Sequence, residues 1–363
     1  LTLSGANTYT GATLVSGGIL KLNNTSALGA TSGVTINTVG AVDLNGQTTN
    51  QNFIGINGTG VNSGGAIINS SATTGIIMGT VALIGHSSIG GAGDITINNS
   101  TGITGNLQLT KVGAGTLTII NSTTTSARTG ANQIDAGTLR LESAALTAVS
   151  ATGTSGAWIF NGGILSLGYD TTNALMTGAV TVNGNSTVIT DVATLNNAAV
   201  THTMGLVTMN NNSTLTVRTG SNVVAGGTQG MTFSTVTLNG SATFDVQNSA
   251  TATTRLTLGA FTDLAIAPRT INFTNTGAGT TNSIVTLTLA SVLSDGTIVN
   301  VNSGANAGVT LNMNTSSSVL GTLAQVNVNG SSVLNLGIAQ TFGSLSGNGN
   351  VTGAFVLTVG NSL

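Results

Sequence analysis

The sequence predicts an all-β protein, a single-stranded parallel β-helix (β-solenoid) with irregular loops that continues over all 363 residues. Three observations predict this fold. The composition favours strands and carries almost no charge, a strand–corner–strand motif recurs five times, and glycine, threonine and asparagine interrupt every window that could form a long helix.

The composition indicates a folded β protein rather than a disordered chain. Charged residues make up 4% of the sequence, against roughly 25% in average soluble proteins. Aromatic residues contribute 3%, and the chain has 52 glycines and one proline, Pro268. Disordered chains typically combine high net charge with few β-branched residues. Here valine, isoleucine and threonine are plentiful, and these residues favour extended structure.

The recurring motif reads "GVTINTVGAVDL", "AVTVNGNSTVIT", "LVTMNNNSTLTV", "TVTLNGSATFDV" and "QVNVNGSSVLNL". Each copy is anchored on one asparagine, with apolar residues one and three positions earlier and five positions later. Alternating apolar residues place one face of a strand inward, and asparagine tolerates the left-handed conformation of a tight turn. We therefore predict structural corner asparagines, able to bond along the stack, at Asn37, Asn183, Asn210, Asn239 and Asn329.

The spacing of these copies predicts the length of one coil. Asn183 and Asn210 are 27 positions apart, and Asn210 and Asn239 are 29 apart. Coils of about 20 to 28 residues, interrupted by loops of varying length, fit these intervals. The alternative is a string of immunoglobulin-like sandwiches, which also contain many short strands. The single tryptophan of the chain weighs against that alternative, because such domains usually bury a central aromatic residue.

Two stretches resemble the strand repeat of bacterial autotransporter passenger regions. "LTLSGANTYTGATLVSGGILKLNN" opens the chain, and the second stretch runs from "LTKVGAGTLTI" at 109–119 to "DAGTLRLES" at 135–143. With the neighbouring "SALGATSGVTINTVGAVDLNGQT" and "SSIGGAGDITIN", the resemblance covers residues 1–47 and 80–143. The second copy departs from the pattern, with "STTTSARTG" in place of "ANTYTG". Residues 150–363 are interpreted as more divergent coils of the same style.

The resemblance implies a right-handed parallel β-helix on the outside of a bacterial cell, at the surface or secreted. It implies no catalytic residues and no cofactor. Both ends of the sequence read as uncapped strands, which normally expose unpaired backbone and apolar interior. From this we expect either that the sequence continues beyond both ends or that subunits associate end to end.

Several partners and functions are not expected. Seven basic residues form no stripe that could meet nucleic acid. The longest nearly apolar run, Ile76 to Gly85, is about half of a membrane-spanning helix, so no membrane insertion is expected. The chain has no cysteine, which excludes disulfides and cysteine-based zinc sites.

The residues do not predict an enzyme. Asp43 and Asp245 are interpreted as outward-facing, solvated charges, many coils apart, whereas glycoside chemistry needs two carboxyl groups within about 5 to 10 Å. His86 and His202 lack neighbours at metal-ligand spacing and are interpreted as polar loop residues. No catalytic, cofactor or metal site is therefore predicted.

The sequence favours a structural extracellular protein, a fibre subunit or rigid stalk that stacks end to end. The alternative is an adhesin or glycan-binding passenger region, which would need an exposed contact patch. The aromatic residues that could form such a surface patch are Trp158, Phe160 and Tyr169. An enzyme is the third and least favoured reading.

Overall fold

A computed structural model describes residues 1–120, 129–143, 156–172, 175–176, 178–210, 212–263, 268–288, 293–313, 320 and 322–360. The chain divides into two compact units, Leu1–Asp170 and Thr171–Leu363. Each unit is built from short parallel strands. No helix among the described residues has the length and hydropathy needed to cross a membrane.

Unit 1 contains strands β1 to β18 and a short 3-10 helix, Val61–Ser63, between β7 and β8. Its strands are β1 Thr2–Leu3, β2 Thr13–Val15, β3 Gly18–Leu22, β4 Val34–Ile36, β5 Gly40–Asp43, β6 Thr48–Thr49, β7 Phe53–Gly58, β8 Ile67–Asn69, β9 Gly75–Ile77, β10 Val81–Gly91, β11 Ile95–Asn98, β12 Ile103–Thr104, β13 Leu109–Lys111, β14 Thr116–Ile120, β15 Asn132–Ile134, β16 Thr138–Ser143, β17 Trp158–Phe160 and β18 Ile164–Tyr169.

Unit 2 contains strands β19 to β37. They are β19 Leu175–Met176, β20 Val180–Val182, β21 Ser186–Asp191, β22 Thr201–Met204, β23 Val207–Met209, β24 Ser213–Thr219, β25 Thr228–Leu238, β26 Ala242–Gln247, β27 Thr253–Asp263, β28 Thr270–Thr274, β29 Ser283–Leu287, β30 Ile298–Val301, β31 Val309–Met313, β32 Gln325–Val328, β33 Val333–Leu336, β34 Gln340–Phe342, β35 Ser344–Ser346, β36 Asn350–Gly353 and β37 Leu357–Val359.

The strands of each unit stack as the walls of a β-solenoid, which confirms the predicted fold class. In unit 1, Ile95 pairs with Leu117 and Leu117 pairs with Leu139, all in parallel, so one coil there takes 22 residues. In unit 2, β21, β24, β26, β28, β30, β32 and β35 form one such wall. Its coils take 27 to 29 residues between β21 and β32, and the last step, from Gln325 to Ser344, takes 19.

The core lies between the walls because inward side chains alternate with outward ones along each strand. In β24 the pattern is regular, with Leu215 and Val217 fully buried and Thr214 and Thr216 half-buried. The rings of Phe244 and Phe273 stack with their centroids 5.8 Å apart, and Phe261 meets Phe244 edge-on at 6.2 Å. Buried side chains from successive coils therefore contact one another and form the core.

The small residue three positions after each motif asparagine has a steric cause at Gly40. A Cβ added there would lie 2.4 Å from the carbonyl oxygen of Val15. The chain passes so close to the neighbouring coil that only glycine fits. In the other copies the position is also buried and holds serine or alanine: Ser186, Ser213, Ala242 and Ser332.

Candidate functional site

Three of the motif asparagines form a ladder along one corner of unit 2. Asn183, Asn210 and Asn239 each follow a strand directly, namely β20, β23 and β25, and these strands pair in register. Asn210 Nδ2 donates to Asn183 Oδ1 at 2.5 Å, and Asn239 Nδ2 donates to Asn210 Oδ1 at 2.8 Å. The side-chain amides therefore repeat, outside the wall, the hydrogen bonding of the backbone within it.

The other two motif asparagines occupy different places in the coil. Asn329 follows β32, a strand of the opposite wall, and its Nδ2 donates to Asn302 Oδ1 at 2.9 Å. Asn37 lies exposed in unit 1, one residue after β4. The five copies thus share a local strand–corner–strand pattern, but they do not form one row.

The expected left-handed conformation is not found at any of the five motif asparagines, and this part of the prediction is wrong. Positive φ angles occur instead two residues after Asn210, at Asn212 with φ 59°, and directly after Asn329, at Gly330 with φ 64°. At Asn210 and Asn329 the asparagine side chain bonds to the preceding coil, and a following residue provides the sharp turn.

A further feature of unit 2 is a pair of polar columns. They lie on the outer face of the wall formed by β21, β24, β26, β28, β30, β32 and β35. The first polar column consists of aligned residues one per coil, Asn185, Thr214, Thr243, Asn272, Asn300, Asn327 and Ser346. The second polar column lies two residues further along each strand and consists of Thr187, Thr216, Asp245, Thr274, Asn302, Asn329 and Asn348.

Amide hydrogen bonds connect successive members of the first polar column. Asn300 Nδ2 donates to Asn272 Oδ1, and Asn327 Nδ2 donates to Asn300 Oδ1, both at 2.8 Å. Asn272 Nδ2 donates to Thr243 Oγ1 at 3.2 Å, and the Ser346 hydroxyl donates to Asn327 Oδ1. Sequence reasoning missed this ladder, although the spacings of 28 and 27 positions between its asparagines match the coil length.

Asp43 and Asp245 are buried, contrary to the expectation of solvated outward charges. Asp43 Oδ1 accepts the backbone N–H of Ser70 at 3.0 Å, and Oδ2 accepts the Ser70 hydroxyl at 2.7 Å. Asp245 in the same way accepts the backbone N–H and hydroxyl of Thr276, at 3.0 and 2.6 Å. Each carboxylate therefore binds the loop of the following coil, since a buried charge needs such partners.

Lys111, at the end of β13, is buried although sequence reasoning did not single it out. Its Nζ donates to the carbonyl oxygens of Val112, Gly113 and Ala136 at 2.7, 2.8 and 3.2 Å. Burial lowers the pKa of Lys111 to about 8, and the nearby Asp94 carboxylate opposes that change. Leu109 and Lys111 alternate with an outward Thr110 in β13. The two-residue period of a strand could therefore have revealed that Lys111 points inward.

The aromatic residues expected at the surface are inside unit 1. Trp158 is 0% exposed, and Phe160 and Tyr169 are each 1% exposed. The Trp158 and Phe160 rings meet edge to face with centroids 6.4 Å apart, and burial raises the pKa of Tyr169. The expectation of a surface contact patch is therefore wrong, because β17 turns Trp158 and Phe160 toward the core.

The two histidines lie in strands rather than loops. His86, exposed in β10, accepts the backbone N–H of Gln108 at Nδ1, at 3.1 Å. His202, fully buried in β22, has Nε2 at 2.9 Å from the carbonyl oxygen of Asp191. Within the described ranges, no group of three or more histidine, cysteine, aspartate or glutamate side chains is placed to hold a metal ion.

One known family accounts for part of the sequence. The sequence model described as passenger-associated-transport-repeat matches residues 1–22 and 109–141. These two segments, well under half of the chain, are therefore similar to the repeats of autotransporter passenger proteins. No curated protein and no solved structure matches the chain.

The second of these passenger repeats contains the Lys111 site. Residues 109–141 include β13, β14 and β15 and most of β16. The lysine fixes the turn after β13 through two carbonyl oxygens and contacts the next coil through the carbonyl of Ala136. Gly137, with φ 64°, leaves room for this contact, since a Cβ there would lie 2.7 Å from Nζ. The passenger repeat thus contains a cation that joins two coils.

We predict that Lys111 makes the stability of the protein depend on pH between 8 and 10. The pKa is about 8 in the folded protein and about 10.4 in an unfolded chain. The cost of burying the charge is therefore present below pH 8 and is lost as the pH rises through this window. The free energy of unfolding should increase by about 2 kcal/mol from this group.

Urea unfolding of the protein and of Lys111→Met across this range measures the effect. The free energy of unfolding should increase between pH 8 and 10 in the unsubstituted protein, and this increase should be absent in the variant. Tyr169, whose raised pKa lowers stability above about pH 10, is common to both proteins and cancels in the comparison. Parallel pH profiles for the two proteins would contradict the prediction.

We also predict that Asn210→Asp destabilises unit 2. The substitution removes the donor to Asn183 and places two oxygen acceptors against each other, at a cost of about 1 kcal/mol. Asn37→Asp, at an exposed corner of unit 1, is the matched control and should leave the urea midpoint nearly unchanged. Equal effects of the two substitutions would show that the ladder contributes nothing to stability.

Proposed function

We propose that this chain is a rigid, non-catalytic part of an extracellular passenger, a stalk or fibre subunit on the surface of a bacterium or secreted from it. The observation that carries the proposal is the hydrogen bonding between successive coils within each unit, formed by backbone, side-chain amides and buried carboxylates. The match to the passenger repeat family supports the location outside the cell.

The placement of the charged groups favours a structural role over catalysis. Asp43 and Asp245 bind the next coil with their carboxylate oxygens, and Lys111 binds three carbonyl groups. These groups are engaged in hydrogen bonds that hold coils together. A hydrolase would instead need carboxyl groups that face a substrate together.

The burial of Trp158, Phe160 and Tyr169 favours a stalk over an adhesin. Sugar-binding surfaces commonly use exposed aromatic rings, and these were the residues from which we expected such a surface. An adhesin remains the second candidate because the outer faces carry many hydrogen-bonding side chains, which could bind a glycan without aromatic residues.

Exposed apolar side chains support self-association of the polypeptide of residues 1–363. In unit 1, Leu1 is 83% and Leu14 is 60% exposed, and both line an open cavity of about 550 Å³. In unit 2, Phe355 is 54% and Val356 is 69% exposed. We propose that each of these two surfaces binds a further coil. When the polypeptide 1–363 is isolated, a second copy of it supplies that coil.

Negative-stain electron microscopy of purified polypeptide 1–363 tests this proposal. We expect filaments that grow lengthwise, and we expect Leu14→Lys with Val356→Lys to prevent them, because lysine at an exposed strand blocks pairing. Both positions are exposed, so the substitutions should leave the circular dichroism spectrum unchanged. Separate particles at all concentrations would contradict the self-association.

Two further assays separate the alternatives on the same samples. Saturable binding to a glycan array would replace the stalk with an adhesin. Release of reducing ends from a polysaccharide panel would contradict the non-catalytic role.

A further inference from the structure

The two polar columns of unit 2 form a surface whose hydrogen bonds are largely internal. In the first polar column, Asn272, Asn300 and Asn327 bond to one another in sequence. Burying an amide that already has such partners costs less free energy than burying a solvated one. The first polar column can therefore lose water at a lower cost than a surface of the same composition without ladders.

The carboxylate of the second polar column is hydrogen-bonded by neighbouring neutral groups. Asp245, its one ionisable member, accepts hydrogen bonds from the Thr274 hydroxyl at 3.1 Å and the Gln247 amide at 2.7 Å, besides those from Thr276. Arg218 lies two residues beyond Thr216 on β24, at the border of the surface. No other charged residue belongs to either column, so two such surfaces would not repel each other strongly.

The repeat of the columns restricts what can bind along their whole length. Successive strands are about 4.8 Å apart, so the seven residues of each column span about 29 Å. If the repeat of a partner differs by about 0.5 Å per strand, the partner would be displaced by about 3 Å at the seventh residue of the column. A second stack of parallel β coils has the same repeat by construction, and stacked amide ladders pack against each other in this way in cross-β assemblies.

From these observations we propose that the two polar columns are a lateral docking surface for a second copy of this chain. Two copies would pack side by side through this wall of unit 2, with side chains of one ladder between those of the other. A surface only two residue columns wide and about 29 Å long is smaller than a standard interface, which predicts weak pairing. This association is separate from the lengthwise contacts of the proposed function and does not depend on them.

Sedimentation velocity in the Leu14→Lys, Val356→Lys background tests the proposal without lengthwise growth. We expect a concentration-dependent dimer in that background. Adding Asn300→Lys and Asn327→Lys should weaken the dimer at least tenfold. The lysines on these two neighbouring strands of one copy would repel those of the other copy across the interface. The matched control adds Thr232→Lys and Thr257→Lys, a half-buried aligned pair on the other wall of unit 2.

The control should dimerise as the background does, and circular dichroism should show the same strand content for all three proteins. A background protein that stays monomeric to about millimolar concentration, the weak limit of specific association, would overturn the proposal. A control that loses the dimer equally would also overturn it. Binding to an insoluble polysaccharide that depends on Asn300 and Asn327, without any dimer, would assign the columns to a glycan instead.

Discussion

In-register hydrogen bonding between parallel coils is the constraint on which the rest of the structure depends. Along a wall, the backbone N–H and carbonyl groups of a strand bond to the coil before or after it, so successive coils must bring their strands to the same place. Register then decides which side chains meet. The stacked phenylalanines inside and the asparagine ladders outside are both consequences of residues that recur at the coil length.

Loops absorb the differences between coils without disturbing this register. A coil takes 22 residues around Leu117 and 29 residues around Leu215, yet the wall strands remain parallel and aligned. Two buried carboxylates, Asp43 at the end of β5 and Asp245 within β26, bind the first residues of the next loop. Lys111 has a similar role with the opposite charge, because it binds carbonyl groups where a turn leaves them without partners. Charge is scarce in this chain, and these three charged groups are used to connect coils.

The period of two and the motif spacing were enough to predict the solenoid, the inward residues and the alignment of Asn183, Asn210 and Asn239. The same information could not place Asn329 with Asn302, since a local motif does not reveal which wall a strand joins. The burial of Trp158 and Phe160 was not readable from a period of two, because Ile159 between them is also apolar; these aromatic residues had been selected as the ones that could form a surface patch. The burial of Asp245 was not readable, because it depends on the loop containing Thr276 of the following coil.

The ladders and the proposed function both depend on one feature of the fold: outward polar residues of successive coils lie directly beside each other. Because the chain has no cysteine, pairs of introduced cysteines test that claim without background. Asn300→Cys with Asn327→Cys places the two Cα atoms about 4.8 Å apart, within the range of a disulfide. Asn300→Cys with Gln325→Cys, shifted by two residues, places them about 8 Å apart. Under mild oxidation the first pair should form a disulfide and the second should not. Equal yields, or a higher yield for the shifted pair, would contradict the register and with it the ladders.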